Sequence, residues 1–143
     1  MEKNYDMLKL ENQLCFPLYA CSREIVKKYR PHLDELDLTY TQYIVLMVLW
    51  AQKRVSVKEL GEKLYLDSGT LTPVLKSLEA KGYVTRTRSA EDERVLIAEI
   101  TESGEALKDS AAEIPPKIAC CVSLTPEEAG ELYRLLYKIL GTM

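Results

Sequence analysis

Four thiols and one imidazole set the limits on the side-chain chemistry open to this chain of 143 residues. The cysteines are Cys15, Cys21, Cys120 and Cys121, and His32 is the single histidine. A zinc site needs several closely spaced sulfur or nitrogen ligands, and no Cys-x-x-Cys or paired histidine occurs. Neither a metal nor a cofactor is therefore expected. If Cys15 and Cys21 share a helix, they lie roughly 9 Å apart in rise and about 240° apart in rotation, so they do not bridge each other. Adjacent Cys120 and Cys121 make a poor pair for the same geometric reason. What remains is either nucleophilic thiolate chemistry or the plain role of a small buried hydrophobe. Tyrosine hydroxyls that donate to sulfur favour the thiolate, and Tyr19 lies four residues after Cys15, on the same side of a helix. Cys21 falls on an apolar stripe and reads as a small buried hydrophobe.

The elements that must carry these residues follow from periodicity. From Met7 to about Tyr29, the residues Leu10, Leu14, Leu18, Cys21, Ile25 and Tyr29 recur at helical spacing, with a bend expected at Pro17. Thr39 and Gln42 form a capping box ahead of Tyr43 to Trp50, a run apolar nearly all round and read as the central buried helix. Ser56-Val57-Lys58-Glu59 forms another capping box and opens a helix with Val57, Leu60 and Leu64 inward. After a short break comes a second helix, N-capped by Asp67 or Ser68, with Leu71, Val74, Leu75 and Leu78 on the core side. Pro73 leaves open a later start at Thr72. The outer face carries Ser68, Thr70, Thr72, Pro73 and Lys76, hydroxyls and a cation suited to phosphates and base edges. Gly82 closes this helix, and two strands follow, Tyr83 to Arg88 and Val95 to Ile100, around the charged tip Ser89 to Arg94. Helix-turn-helix followed by a β-hairpin is a winged helix. A further helix is expected over Thr101 to Ile114, ended by Pro115-Pro116. The last one is capped by Thr125, Pro126 and Glu128, and presents Leu132, Leu135, Leu136, Ile139 and Leu140 to a partner.

The run from Leu71 to Val84, the wing pair Asp92-x-Arg94 and Ile100-Thr101-x-x-Gly104 together resemble the MarR-type transcription regulators. That resemblance implies a mostly α fold with a small β-hairpin wing. It implies one domain over residues 1–143, with about 1–38 and 102–143 as dimerisation helices and about 39–101 as the DNA-binding lobe. The recognition helix would enter the major groove, while Asp92 orients Arg94 into the minor groove; Arg86 joins the expected DNA-binding set. The stretches Leu10 to Ala20, Leu64 to Pro73 and Glu91 to Arg94 further resemble the OhrR branch, organic-hydroperoxide sensors. By that resemblance Cys15 is the redox-sensing cysteine, with Tyr19, Tyr29 and Tyr40 supporting its thiolate, some of them from the other subunit. Phe16 and Trp50 would supply an apolar surround. Cys120 or Cys121 would be the candidate resolving cysteine. The implied partners are a second copy of the chain, palindromic double-stranded operator DNA, an organic hydroperoxide as effector and a low-molecular-weight thiol able to cap the cysteine.

Composition is compatible with this. At 47% hydrophobic and 29% charged residues the chain is of ordinary globular type, large enough for one core. No apolar run is long enough to span a membrane and no signal peptide is visible, so a cytoplasmic address is expected. The net charge of -3 is less than welcoming to DNA, but Lys53 to Arg94 holds nine basic against seven acidic residues, a local excess of +2. A peroxidase would need a positioned base or arginine near its cysteine, and none is evident, so an enzyme is not expected. The alternatives are a MarR-type repressor governed by a small phenolic ligand, and a dimerisation module that does not bind DNA.

Overall fold

The computed structural model describes residues 1–143. Its elements are α1 (Cys15–Asp34), α2 (Tyr40–Gln52), β1 (Arg54–Ser56), α3 (Val57–Leu64), α4 (Ser68–Ala80), β2 (Val84–Arg88), β3 (Leu96–Ile100), α5 (Glu102–Ala106), α6 (Lys108–Ala111), α7 (Ile114–Ala119) and α8 (Pro126–Leu140). The three strands form one antiparallel sheet in the order β1-β3-β2, with Ala98 of β3 opposite both Val55 and Arg86. This is the expected mostly helical winged helix. The strand β1 is an addition: three residues are too few for alternation to show in sequence.

The first helix differs from its expected span. Before Cys15 the chain makes two 3-10 turns, Asp6–Leu8 and Leu10–Asn12. Their carbonyls are taken by side chains: Asn12 Nδ2 donates to the Asp6 oxygen at 2.7 Å, and Gln13 Nε2 to those of Met7 and Lys9 at 2.6 and 2.9 Å. Side-chain amides that satisfy local backbone in this way compete with helix continuation. Leu10 and Leu14 therefore leave the stripe. Pro17 becomes the third residue of α1, where its missing N–H has no intrahelical partner to lose, and it need not bend the helix. The helix instead runs on through Pro31 to Asp34.

The core is built on α2. Val45, Leu46 and Leu49 are fully buried against Leu60 of α3, Leu71, Leu75 and Leu78 of α4, Val84 and Ala98. Each such leucine contributes about 1.5–3 kcal/mol of burial, enough to hold the short α3 and α4 that would not persist alone. The Thr39–Gln42 capping box is complete. Ser56 accepts from the Glu59 N–H at 3.1 Å, but the reciprocal half of the box is not formed. Trp50 is buried as expected, its indole N–H donating to the Gly104 carbonyl at 2.9 Å. Gly104 is required there: a Cβ would meet the Tyr83 carbonyl and, at 2.8 Å, Ile100 Cγ1.

The C-terminal third also departs from expectation. Where one helix was expected over Thr101 to Ile114, there are two short ones, and Pro115-Pro116 fall in the first turn of α7 instead of ending a helix. Proline is tolerated in a first turn, where its absent donor costs nothing. The complete Thr125–Glu128 capping box starts α8, none of whose residues is buried within the chain.

Candidate functional site

The expected site residues fall into two groups, one on the winged-helix lobe and one along α1.

On the lobe, Asp67 caps α4, accepting from the Thr70 N–H at 2.7 Å, and that backbone bond holds the Asp67 carboxyl below the usual range. The helix thus starts at Ser68, not at Thr72, and Pro73 lies inside it. Ser68, Thr70, Pro73 and Lys76 are exposed along one face. Thr72 is half-buried, its hydroxyl donating to the Ser68 carbonyl at 2.7 Å. The opposite face is anchored by its leucines and by a polar tie in which Gln42 Nε2 donates to the Ser77 hydroxyl at 2.8 Å. Gly82, at φ +82°, ends α4 with the Tyr83 N–H donating to the Leu78 carbonyl at 3.0 Å, the hydrogen-bond pattern of a Schellman motif.

The wing places a guanidinium in solvent on a fixed support. Arg94 Nε and Nη2 donate to the two Asp92 oxygens at 3.1 and 3.2 Å, and the Arg94 N–H adds a bond at 3.0 Å. The Arg94 side chain is 90% exposed, and the Arg94 side-chain hydrogen bond holds the Asp92 carboxyl below its ordinary value. The fork is oriented by Asp92 while remaining open to water.

Arg86 is placed differently from the expectation. Its side chain is 17% exposed and paired with Glu79 at 3.1 Å, while its N–H donates to the other Glu79 oxygen at 3.2 Å. It ties β2 to α4 instead of facing outward. Two residues on, Arg88 shares that side of the strand and is exposed, with a guanidinium N–H donating to the Glu93 carbonyl at 3.3 Å. Strand periodicity was the available signal for preferring Arg88: Val84, Arg86 and Arg88 move outward from core to tip.

Along α1, Cys15 is the first residue of the helix and exposed. Tyr19 stands one turn on, 59% exposed, with the Arg23 guanidinium 5.3 Å from its ring centre. Tyr29 and Tyr40 are not with them. Their rings pack against each other at 5.0 Å and against Tyr43 at 5.9 and 6.1 Å. Burial pushes all three hydroxyls up, so they remain O–H donors. Fourteen residues of helix separate Cys15 from Tyr29, about 21 Å along the axis, beyond any side chain's reach. Trp50 packs against Tyr43 at 6.4 Å, at the tyrosine end, and so does not surround the chain's own Cys15; Phe16 is its apolar neighbour in sequence.

The other thiols are also exposed in the single chain, so Cys21 and the adjacent pair are not buried by their own chain. The stripe that carries Cys21 has nothing of its own chain over most of its length, Leu33 being the one buried residue of α1. Cys120 caps the end of α7. Cys121 donates its S–H to the Lys117 carbonyl at 3.5 Å and borders a groove of about 250 Å³ whose opposite wall includes Cys21.

Known proteins share the sequence pattern and the fold of this chain. The family described as transcriptional regulator SarA/Rot matches residues 23–111. The organic hydroperoxide resistance transcriptional regulator of Bacillus subtilis (strain 168) is 50% identical over 143 residues, covering 100% of this chain and 97% of that protein. Reduced AbfR bound to DNA superposes with a TM-score of 0.81 at 34% identity, over 96% of this chain and 94% of that one; AbfR is a protein of Staphylococcus epidermidis. Its disulfide form gives 0.68 at 36% identity, over 94% and 95%. With the family match spanning well over half of its length and the similarity to a hydroperoxide regulator sustained from end to end, the chain belongs to the MarR-type winged-helix transcription regulators, in their OhrR-like branch.

Proposed function

We propose that this protein is a dimeric, thiol-switched repressor, cytoplasmic and without enzymatic turnover of its own, that leaves palindromic operator DNA when an organic hydroperoxide oxidises Cys15. The observation that carries the reading is the division of the sensing site between the two ends of α1. Cys15 lies at one end, free of partners, and the half-buried Tyr29 lies about 21 Å away along the helix, with the Tyr40 ring packed on it. Two α1 helices packed antiparallel across a two-fold axis bring the tyrosines of one subunit to Cys15 of the other, with Tyr19 from the cysteine's own helix. Each sensing site is then an interface. Attack of the Cys15 thiolate on the hydroperoxide breaks the O–O bond, releases the alcohol and leaves a sulfenic acid. A sulfenic acid no longer accepts the phenol hydrogen bonds as the thiolate did, so the interface repacks.

Residues 1–38 and 102–143 form the dimer region and 39–101 the reading head in this proposal. Ser68, Thr70, Thr72, Pro73 and Lys76 meet the major groove, and Arg94, held by Asp92, the minor groove. Half-sites must match the recognition-helix spacing, so a small change in subunit orientation suffices for release. Cys120 is the resolving candidate for Cys15 of the partner, since Cys121 is turned into its own groove; a low-molecular-weight thiol would be the competing cap.

The test uses an operator selected by the protein from a random duplex pool. Cys15→Ser is expected to bind it as the wild type does, while one equivalent of cumene hydroperoxide releases the wild type only. Equal release of both proteins would overturn the thiol switch. It would favour the second reading, a phenolic ligand, for which the apolar groove of about 330 Å³ lined by Tyr43, Met47, Trp50 and Pro115, with Lys108 at its edge, is the natural seat.

A further inference from the structure

The groove between α1 and the end of α7 holds two thiols that the sensing mechanism leaves unused. Cys21 and Cys121, far apart in sequence, both line it, and both are exposed. Its remaining walls include Glu24, Ile25, Lys28 and Ile118. Lys28 lies seven residues after Cys21, two turns along the same helix face. The neighbouring carboxylate does not claim it alone: Glu24 pairs with Lys27 at 3.1 Å and with Arg23 at 4.0 Å. The groove therefore sets Lys28 along the same walls as two sulfurs that are exposed in the single chain.

We propose that Cys21 and Cys121 form a second redox pair, closing as a disulfide within one subunit and independently of Cys15. Cys21 takes the oxidant first, because the Cys121 proton is engaged by the Lys117 carbonyl. Its thiolate attacks the terminal oxygen of a hydroperoxide; the O–O bond breaks, the alkoxide leaves and is protonated to the alcohol, and Cys21 carries the sulfenic acid. Cys121 sulfur then attacks the Cys21 sulfur, the S–O bond breaks, and the departing hydroxide takes the Cys121 proton as water. Two thiols and one hydroperoxide become one disulfide, one alcohol and one water. The bond staples α1 to the segment that leads into α8, the two elements whose faces are left open.

The pair is distinguishable from the sensor because it is tested without it. In a full-length Cys15→Ser/Cys120→Ser dimer treated with cumene hydroperoxide, intact mass is expected to fall by two hydrogens per chain. Peptide mapping is expected to join the Cys21 and Cys121 peptides, and the chain should run as a monomer under non-reducing denaturing conditions. Mixing isotope-labelled and unlabelled subunits should give no labelled-to-unlabelled crosslink. A crosslink between chains, separate sulfinic acids at Cys21 and Cys121, or two unreacted thiols would each overturn the proposal. Adding Cys21→Ser to this variant, at an exposed position, is the control that must abolish the mass loss.

Discussion

In the proposed complex Arg94 and Lys76 would meet DNA by different physics, and their variants should separate. Arg94 is a preset fork: Asp92 fixes two of its nitrogens while the side chain stays 90% exposed, so little ordering remains for binding to impose. Arg94→Ala is expected to weaken operator binding about tenfold or more and relax preference at the base steps beneath the wing. Lys76→Ala removes a simple cation from the recognition helix. It should weaken all sequences alike and reduce the slope of log K against log salt by about 1. Fluorescence anisotropy over a salt series checks both, and identical salt slopes for the two variants would contradict the assignment. At this scale the Asp92-x-Arg94 spacing was legible in sequence, whereas the position of Cys15 at a helix start was not, because the apolar spacing of Leu10 and Leu14 carried the expected helix back to Met7. Arg86 was misplaced because nothing local in sequence says that Glu79, on a different element, reaches β2 first.

At the scale of elements, helix ends decide the geometry of the reading head. Asp67, Thr39 and Thr125 each cap a helix through an oxygen that accepts a backbone N–H. Replacing Thr39 by alanine should cost about 1 kcal/mol in urea unfolding, the usual worth of a hydroxyl cap. Asp67 also makes the cap sensitive to acid. Its folded carboxyl titrates lower than in the unfolded chain, chiefly through the Thr70 N–H, so its stabilisation is complete above the unfolded value. It disappears as pH falls through the folded one. Unfolding curves below the usual carboxylate range should therefore show the wild type losing stability faster than Asp67→Asn, which keeps an acceptor oxygen without a titrating group. Caps and the wing hairpin were readable in the sequence because they are local: Thr39 with Gln42, Thr125 with Glu128, Gly82 at its positive φ. The segments around Pro115 and before Cys15 were not, since proline at a first turn and Gln13 reaching back to Met7 carry no periodic signature.

At the scale of the molecule, surface area shows that one chain is an unfinished object. It exposes 10503 Å², whereas a compact monomer of 16.3 kDa exposes about 7,500 Å². The large apolar residues left uncovered concentrate in the terminal regions: Leu14, Phe16, Tyr19, Ile25 and Val26 at one end, Leu132, Tyr133, Leu135 and Tyr137 at the other. Patches of that extent mark an interface, and obligate dimers bury 2,000–5,000 Å² or about that. Leu135→Glu is expected to give monomers in sedimentation at micromolar concentration and to lose operator binding, while the wild-type melting temperature rises with concentration. The amphipathic stripe of α8 was visible in the sequence; the angle at which two chains meet was not, because it depends on both surfaces at once.

The distance along α1 between Cys15 and its tyrosines has a genetic consequence. If each sensing site takes its sulfur from one chain and its phenols from the other, a Cys15→Ser chain and a Tyr29→Phe/Tyr40→Phe chain fail for opposite reasons. In a mixed dimer both faults fall into one site and leave the second whole. Two defective alleles expressed together should then complement, restoring hydroperoxide response in the heterodimer fraction, whereas two alleles of the same kind should not.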